Sequence, residues 1–523
     1  MRIGIDVGGT HTDAVLVDGR HVLAEVKAPT TADVTSGIVT ALRRLTEAHP
    51  DATRAAGVMI GTTHFTNALV EGRSLVPTAA VRLGLPATAS LPPMVDWPER
   101  VRALLGGHVY LCHGGSEFDG RAISPLDRKE LRRVGADIAA KGIRSIAVSS
   151  VFSPVSSEHE EEAAEILAVE APEALVSLSH EIGRIGLLER ENATIVNACL
   201  RELAAHVIGA FRGAVSEHGI AAPVYLTQND GTLMSVDYAE RYPVATFASG
   251  PTNSMRGAAF LSELEDCAVV DLGGTTADIG VLVHGFPREA SLAVNIGGVR
   301  TNFRMPDVVS LGVGGGSVVR RDGVLTVGPD SVGYELPRRA LVFGGNTLTA
   351  TDLAVAVGAA SIGEPERVAS LERALVEEGL ALVERSIADG LERMKTTAAA
   401  VPVVVVGGGS ILVGERLRGA TEVVKPKHFA VANAIGAAIA QAGGETDRIF
   451  RLDGTSRDAV LDEAVAQASQ RAVDAGARPD TVRVVDVDEV PLAYLPGNAT
   501  RIRVKAVGEL ELGLTGVAAT AAD

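Results

Sequence analysis

Two short stretches of this 523-residue chain carry the same chemistry-bearing side chains in the same order. Residues 3–17 read IGIDVGGTHTDAVLV and residues 268–283 read AVVDLGGTTADIGVLV. This pairs Asp6 with Asp271, Gly8 with Gly273, Gly9 with Gly274, Thr10 with Thr275 and Asp13 with Asp278 at a constant offset of 265 residues. In each copy an apolar, β-branched run stops at an Asp, turns on Gly-Gly-Thr and resumes as apolar alternation, the pattern of a β-hairpin. Glycines permit the positive φ angles of such a turn and let backbone N–H groups approach an anion closely. A carboxylate at the strand end then holds a hydrated Mg2+ opposite the anion. Asp6 and Asp271 are therefore the candidate metal-holding and catalytic, water-positioning groups. Gly8, Gly9, Thr10 and Thr12 in the first hairpin, with Gly273, Gly274 and Thr275 in the second, are the candidate phosphate-binding residues. Either hairpin alone reads equally well as an ordinary tight turn; two copies half a chain apart do not. Asp13 and Asp278 either assist the first pair or cap the turns.

The elements that must position these hairpins follow an alternating α/β pattern. Val58–Ile60 predicts a strand, followed by Gly61-Thr62-Thr63 and a short helix through Asn67–Leu69. A helix is expected from Ser124-Pro125, with Asp127 in its first turn, to about Lys141. A buried strand follows over Ile143–Val151, then a helix over Glu158–Leu167 whose acidic run reads as a solvated face. A strand near Ala174–Leu178 and a long helix around Leu187–Val215 lead into the second half. These elements suggest domains at 1–185, 186–480 and 481–523. In the last, Thr481–Val487 and Thr500–Val504 read as a small terminal sheet or an added hairpin.

Composition excludes several classes of function. Hydrophobic residues at 46% and charged residues at 22% describe a well-packed globular chain. With 48 Lys and Arg against 65 Asp and Glu, a net charge of −17 and 3% aromatics, the chain is poorly suited to nucleic acid, which demands a basic surface and stacking rings. Cys112, Cys199 and Cys267 match no zinc or redox spacing. No secretory leader pattern opens the sequence, and no apolar run approaches the ~18 residues of a membrane span. The expectation is a cytoplasmic protein with neither membrane nor nucleic-acid partner.

The paired hairpins resemble those of the actin, Hsp70 and sugar-kinase superfamily, in which two related ribonuclease-H-like domains face one nucleotide. That resemblance implies an α/β fold of duplicated ribonuclease-H-like domains around a nucleotide cleft, and an adenosine motif in the second half. Val403–Val406 leading into Gly407-Gly408-Gly409-Ser410 supplies it. Side chains on that loop would block the flat purine and ribose, and a helix N-terminus beyond it favours phosphate charge. At finer grain, Asp6–Asp13, Gly61–Leu69, Gln228–Met234, Ser249-Gly250-Pro251, Asp271–Thr275, Gly312–Ser317, Val327-Gly328-Pro329 and Thr349–Leu353 together resemble the A subunit of the hydantoinase/oxoprolinase family over about residues 1–440. The resemblance implies ATP and Mg2+ as cofactors and ATP-dependent ring opening of a cyclic amide such as a hydantoin, 5-oxoproline or related lactam. It also implies a second subunit, of B type or another, as partner. Phosphorylating the amide oxygen turns a resonance-stabilised carbonyl into one bearing a good leaving group, which water can attack; the protein supplies mainly position and charge. A small-molecule kinase of the same superfamily and a non-enzymatic, nucleotide-switched assembly protein are the alternatives.

Other residues have competing readings. His64, His108 and His113 with Glu117 or Asp119 suggest a metal site only weakly, since no H-x-x-x-H spacing is present. Gly312–Ser317 reads as a phosphate or ribose contact or as a turn packed against a sheet. Asn229-Asp230-Gly231 reads as a turn or a substrate contact, and Arg184, Arg190 and Glu191 as surface ion pairs or contacts to a substrate carboxylate. Trp97, among Pro92, Pro93 and Pro98, reads as a loop anchor. Asn253 and Ser254 receive no role.

Overall fold

A computed structural model describes residues 1–8, 11–29, 34–290, 293–450, 452, 454–492 and 498–512. Its two largest sheets each contain the same arrangement. In the first, Arg2–Val7 lies between antiparallel His11–Asp18 and parallel Val58–Thr62; His21–Pro29 extends one side and Val224–Thr227 the other. In the second, Cys267–Leu272 lies between antiparallel Ala277–Val283 and parallel Val401–Val406, with Val308–Leu311 outside the former and Ala420–Val424 outside the latter. The fold is thus α/β with duplicated ribonuclease-H-like units.

Local chemistry explains the central strands. Val403 to Val406 are all fully buried, alternating between two separate cores, as a parallel strand covered on both faces requires. Two helices join the units. Ser249–Ser262 and Ala432–Ala438 pack so closely that a Cβ on Gly257 would lie 1.9 Å from Ala432 O, and one on Gly436 would lie 1.9 Å from Asn253 O. A Cβ on Gly4 would likewise meet Ala434 O at 2.0 Å, so the second of these helices sits directly on the first strand.

Several features differ from the sequence reading. The limit drawn at residue 185 falls before the Leu187–Glu217 helix, whereas the fifth strand of the first unit, Val224–Thr227, lies beyond it. Gln441–Phe450, Arg483–Pro491 and Thr500–Gly508 join this first sheet through Thr232–Ser235, making nine strands in all. A separate four-stranded sheet of Ala79–Leu85, His108–His113, Ser145–Ser150 and Leu175–Leu178 is inserted before the long helix; all its pairings are parallel. Asp127 is the cap of the Arg128–Ala140 helix, accepting from Lys129 N and Glu130 N. Glu160, read as part of a solvated face, is buried and accepts from Ser150 N, Ser179 Oγ and His180 N.

The Leu187–Glu217 helix is, by length and composition, long and apolar enough to cross a membrane, but Glu189, Arg190, Glu191, Arg201, Glu202 and Arg212 interrupt it, so it contains no uninterrupted apolar run of that length. Ile195, Val196, Leu200 and Phe211 bury its apolar side in the first unit's core. Arg190 and Glu191, read as surface ion pairs, are buried on this helix. Glu191 pairs with buried Arg82 at 2.7 Å, and Arg190 donates to Ser179 Oγ and to Arg184 O. Trp97 donates to Asn192 Oδ1 at 2.7 Å, tying its proline-rich loop to the same helix.

Candidate functional site

Each hairpin closes with the same bond. Gly8 N donates to His11 O at 3.0 Å, and at the equivalent place Gly273 N donates to Thr276 O at 2.9 Å. The antiparallel registers set Asp6 opposite Asp13 and Asp271 opposite Asp278, so each pair shares one sheet face. Thr12, buried and adjacent to Asp13, falls on the opposite face. Gly9 and Thr10 lie outside the described residues.

Asp6 is 4% exposed and sits in a crowded polar corner. A Cβ on Gly61, its neighbour in the parallel strand, would lie 2.2 Å from Asn253 Nδ2, 2.7 Å from Asp6 Oδ1 and 3.3 Å from Thr227 Oγ1. Only glycine fits there. Asn433 Nδ2 donates to Asp6 Oδ2 at 2.8 Å, whereas the Asn253 amide is committed to Thr227 Oγ1 at 3.0 Å. Asp6 Oδ1, Asp13 Oδ1 and Asn253 Oδ1 are consequently buried without a hydrogen-bond partner. Burial, and next the charge of Asp13, push the Asp6 carboxyl up to about 7; Asp271 adds to this, and the Asn433 and Asn253 amides oppose it.

The second unit mirrors these effects. Burial raises Asp271 above the usual carboxylate range, against a hydrogen bond from Ser254 and the charge of Lys27. Burial also raises Asp278 to about 6, against its bond from Ser310 Oγ at 2.5 Å. The two hairpins are therefore close enough for their carboxylates to repel one another. Lys27 is the neighbouring cation, with Nζ 2.7 Å from Asp13 Oδ2 and 2.8 Å from Ala430 O.

The glycine turn after Val401–Val406 abuts the second hairpin. A Cβ on Gly407, at φ +84°, would strike Leu272 O at 2.3 Å and Asp271 Oδ1 at 2.4 Å, and Gly409 N donates to Leu272 O at 2.7 Å. Gly408 faces open space, and Ser410 Oγ is buried without a partner. Gly312–Ser317 braces the hairpin from another side: Gly315 N donates to Gly273 O at 3.0 Å and Gly316 N to Gly274 O at 2.7 Å. That loop is built as packing against the hairpin.

These residues suit a cation and an anion together. Buried carboxylates such as Asp6 and Asp271, which burial makes costly to ionise, gain most from a positive charge between them. Among the described residues no cluster of three or more His, Cys, Asp or Glu is arranged to hold a metal unaided. Mg2+ does not require one, since it is commonly held by one or two carboxylates with phosphate and water as its other ligands. The sequence reading missed Lys27 and Asn433 and set aside Asn253 and Ser254. The one available signal was polarity, since Asn433 interrupts the small, apolar run ANAIGAA that packs between the units.

Comparison with known proteins bears on the family and the fold. The family model for the hydantoinase/oxoprolinase N-terminal region matches residues 2–171, and the hydantoinase/oxoprolinase model matches residues 190–362. The caprolactamase alpha subunit of Pseudomonas jessenii is 28% identical over 466 residues, 84% of this chain. The matched region spans 65% of that protein, less than two thirds of its length. The solved structure of the ATP-dependent caprolactamase from Pseudomonas jessenii superposes with a TM-score of 0.77 at 22% identity, covering 98% of this chain and 88% of that one. A nucleotide-free acetone carboxylase structure gives 0.69 at 18% identity, covering the same shares. Both likenesses establish the fold.

Proposed function

The chain belongs to the hydantoinase/oxoprolinase family, and from that premise we propose that it uses ATP and Mg2+ to open a cyclic amide as one subunit of a complex. The observation that carries this reading is the pair of matching hairpins: Asp6 Oδ1 and Asp13 Oδ1 are buried without a donor in the first, and the charge of Asp271 in the second helps to raise the Asp6 carboxyl. In it, Asp6 and Asp271 hold Mg2+ and orient its water. The backbone amides of Gly9 and Gly274, with Thr10 and Thr275, cradle phosphate oxygens, while Gly8 and Gly273, whose N–H groups close the turns, hold the hairpins in shape. Gly407-Gly408-Gly409-Ser410 receives the adenosine, Gly408 offering the open surface a flat base needs. Asn433 fixes the Asp6 side chain, and Lys27 balances Asp13. When bound, ATP supplies the phosphoryl group that activates the amide oxygen, and Mg2+ neutralises the charge that develops.

The chain's motifs are absorbed by nucleotide binding, with no nucleophile and base pair left over among them for hydrolysis. A second subunit therefore completes the ring-opening site and keeps bulk water from the activated amide. Its relative's designation as an alpha subunit supports the same arrangement. The test is ADP release by the full chain, with and without co-expressed partner, in the presence of hydantoin, 5-oxoproline or a lactam. Ring-dependent ADP release that rises with the partner is the expected result. Phosphorylated product recovered without ring opening would instead favour a small-molecule kinase.

A further inference from the structure

The two hairpins extend into matching rows of side chains, and the rows differ at their third place. Asp6 pairs with Asp13, and Asp13 with Lys27, across Arg2–Val7, His11–Asp18 and His21–Pro29. Asp271 pairs with Asp278, and Asp278 with Ser310, across Cys267–Leu272, Ala277–Val283 and Val308–Leu311. Residues paired directly across antiparallel strands share a sheet face, so each row runs outward from its candidate Mg2+ carboxylate along one side of the sheet. The duplication that sets carboxylates at the first two places sets a cation at the third in one unit and a hydroxyl in the other.

Satisfying the middle carboxylate does not require that cation. Ser310 Oγ donates to Asp278 Oδ1 at 2.5 Å, so a hydroxyl is enough for a carboxylate at this place. Lys27 offers more. Its Nζ lies 2.7 Å from Asp13 Oδ2 and 2.8 Å from Ala430 O, in the segment between Ala420–Val424 and the Ala432–Ala438 helix. An ammonium carries three N–H donors, and these two acceptors leave one donor uncommitted among the described residues. The side chain is 39% exposed, beside a buried Asp13. Ala430 follows Phe429, whose oxygen accepts from Gly407 N at 2.9 Å in the adenosine turn, so Lys27 stands at the seam between the units. Its charge also reaches the second hairpin: burial raises Asp271, and Lys27 opposes the rise. The glycine turn that abuts Asp271 belongs to the second unit. A nucleotide whose adenosine rests there extends its phosphates toward the first unit, the one whose row ends in a cation.

We propose that Lys27 binds the terminal phosphate of ATP and makes the chain prefer ATP to ADP. The inference rests on the reading of the two hairpins as an ATP site, and goes beyond it by giving the terminal phosphate its own residue and the two hairpins unequal roles. The first row takes the end of the nucleotide that is transferred, and the second takes the end nearest adenosine. A charge-assisted hydrogen bond that only the triphosphate makes is what separates the two nucleotides. Lys27→Met alone would strand the buried Asp13 carboxylate and endanger the fold. The informative comparison is therefore between Asp13→Asn, which keeps Lys27, and Asp13→Asn with Lys27→Met, which leaves no charge at either place.

The experiment is calorimetric titration of the full chain with ADP and with the non-hydrolysable imido analogue of ATP, each with Mg2+. Wild type and D13N are expected to bind the analogue at least about tenfold more tightly than ADP, a charge-assisted contact being the difference. D13N/K27M is expected to lose most of that preference while its affinity for ADP stays close to that of D13N. Acylation of lysines in the wild-type chain, read by mass spectrometry, asks the same question without a substitution: the analogue should shield Lys27 and ADP should not. No preference in wild type, an undiminished preference in D13N/K27M, affinities for both nucleotides that fall together, or equal shielding by both would overturn the proposal. If ADP binds and the analogue is not preferred, this inference alone fails; if neither nucleotide binds the folded chain, the ATP reading itself fails.

Discussion

Replacing Asp6 by Asn should make the nucleotide-free protein more stable at pH 8 while disabling it. Asp6 is buried, and its carboxyl is raised from 3.8 to about 7 in the fold. A carboxyl whose folded value lies above its unfolded one keeps in the fold a proton that the unfolded chain gives up. Its contribution to stability therefore falls as pH rises from about 4 to about 7, and above that the ionised group is a standing penalty. At about 1.36 kcal/mol per pH unit, the full rise sets a ceiling of about 4 kcal/mol. Asp271, itself raised by burial, relaxes in the same field when Asp6 is neutralised, so the net gain is on the order of 1–2 kcal/mol. The Asn side chain retains an oxygen for the Asn433 amide, so the contact between the first strand and the Ala432–Ala438 helix survives. At roughly 2–4 °C per kcal/mol for units of about 150–250 residues, calorimetric scans at pH 8 should show the variant melting a few degrees above wild type. At pH 4 the difference should shrink to roughly half a kcal/mol, because wild-type Asp6 is then protonated in the fold and already close to half protonated when unfolded. ATP turnover should fall by about 100-fold or more, the scale expected for removing one preorganised charge-stabilising group. A variant less stable than wild type at pH 8, or a stability gain independent of pH, would refute the reasoning.

Gly407→Ala and Gly408→Ala should separate fold from binding: the first places a Cβ against Leu272 O and Asp271 Oδ1 and should lower both melting temperature and ATP affinity, the second enters open space and should weaken ATP binding with little change in melting. Gly257→Ala should destabilise the chain by roughly 3 kcal/mol or more, since the Ala432 backbone cannot yield to the new methyl without parting the two helices that join the units; unchanged denaturant midpoints would contradict that packing. Asp271→Asn should reduce turnover as Asp6→Asn does, and equal losses of activity and stability in either variant would assign the carboxylate a structural role. The purified chain alone should open rings poorly and gain activity with its partner; ring opening by the isolated chain, stoichiometric with ADP, would show that the hydrolytic residues lie within it.

The repeat was legible because its chemistry is local. Asp6-Val7-Gly8 and Asp271-Leu272-Gly273 each encode a strand end and a turn within a few residues, and the Val403–Gly409 run encodes a buried strand and a sterically required glycine turn in the same way. Asn433 and Lys27 were not legible, because they reach Asp6 and Asp13 through tertiary packing. Asn433 lies 427 positions from its partner, and the register that sets Lys27 beside Asp13 depends on a bulge near Val17. The joining of Gln441–Phe450 and the two later strands to the first sheet was hidden for the same reason, since alternating patterns announce strands but not their neighbours. Glu160 and Glu191 show the converse error: charge in a helical pattern read as exposure, whereas Ser179, His180 and Arg82, supplied from other elements, satisfy both carboxylates in the interior.

The most direct test is a calorimetric titration of the full chain with ATP, repeated with Mg2+ removed by chelation. One Mg2+-dependent site per chain, weakened in both Asp6→Asn and Asp271→Asn, is the result expected if the two hairpins hold a single nucleotide between them. A folded chain that takes up no ATP, or one whose binding survives loss of either carboxylate, would contradict it.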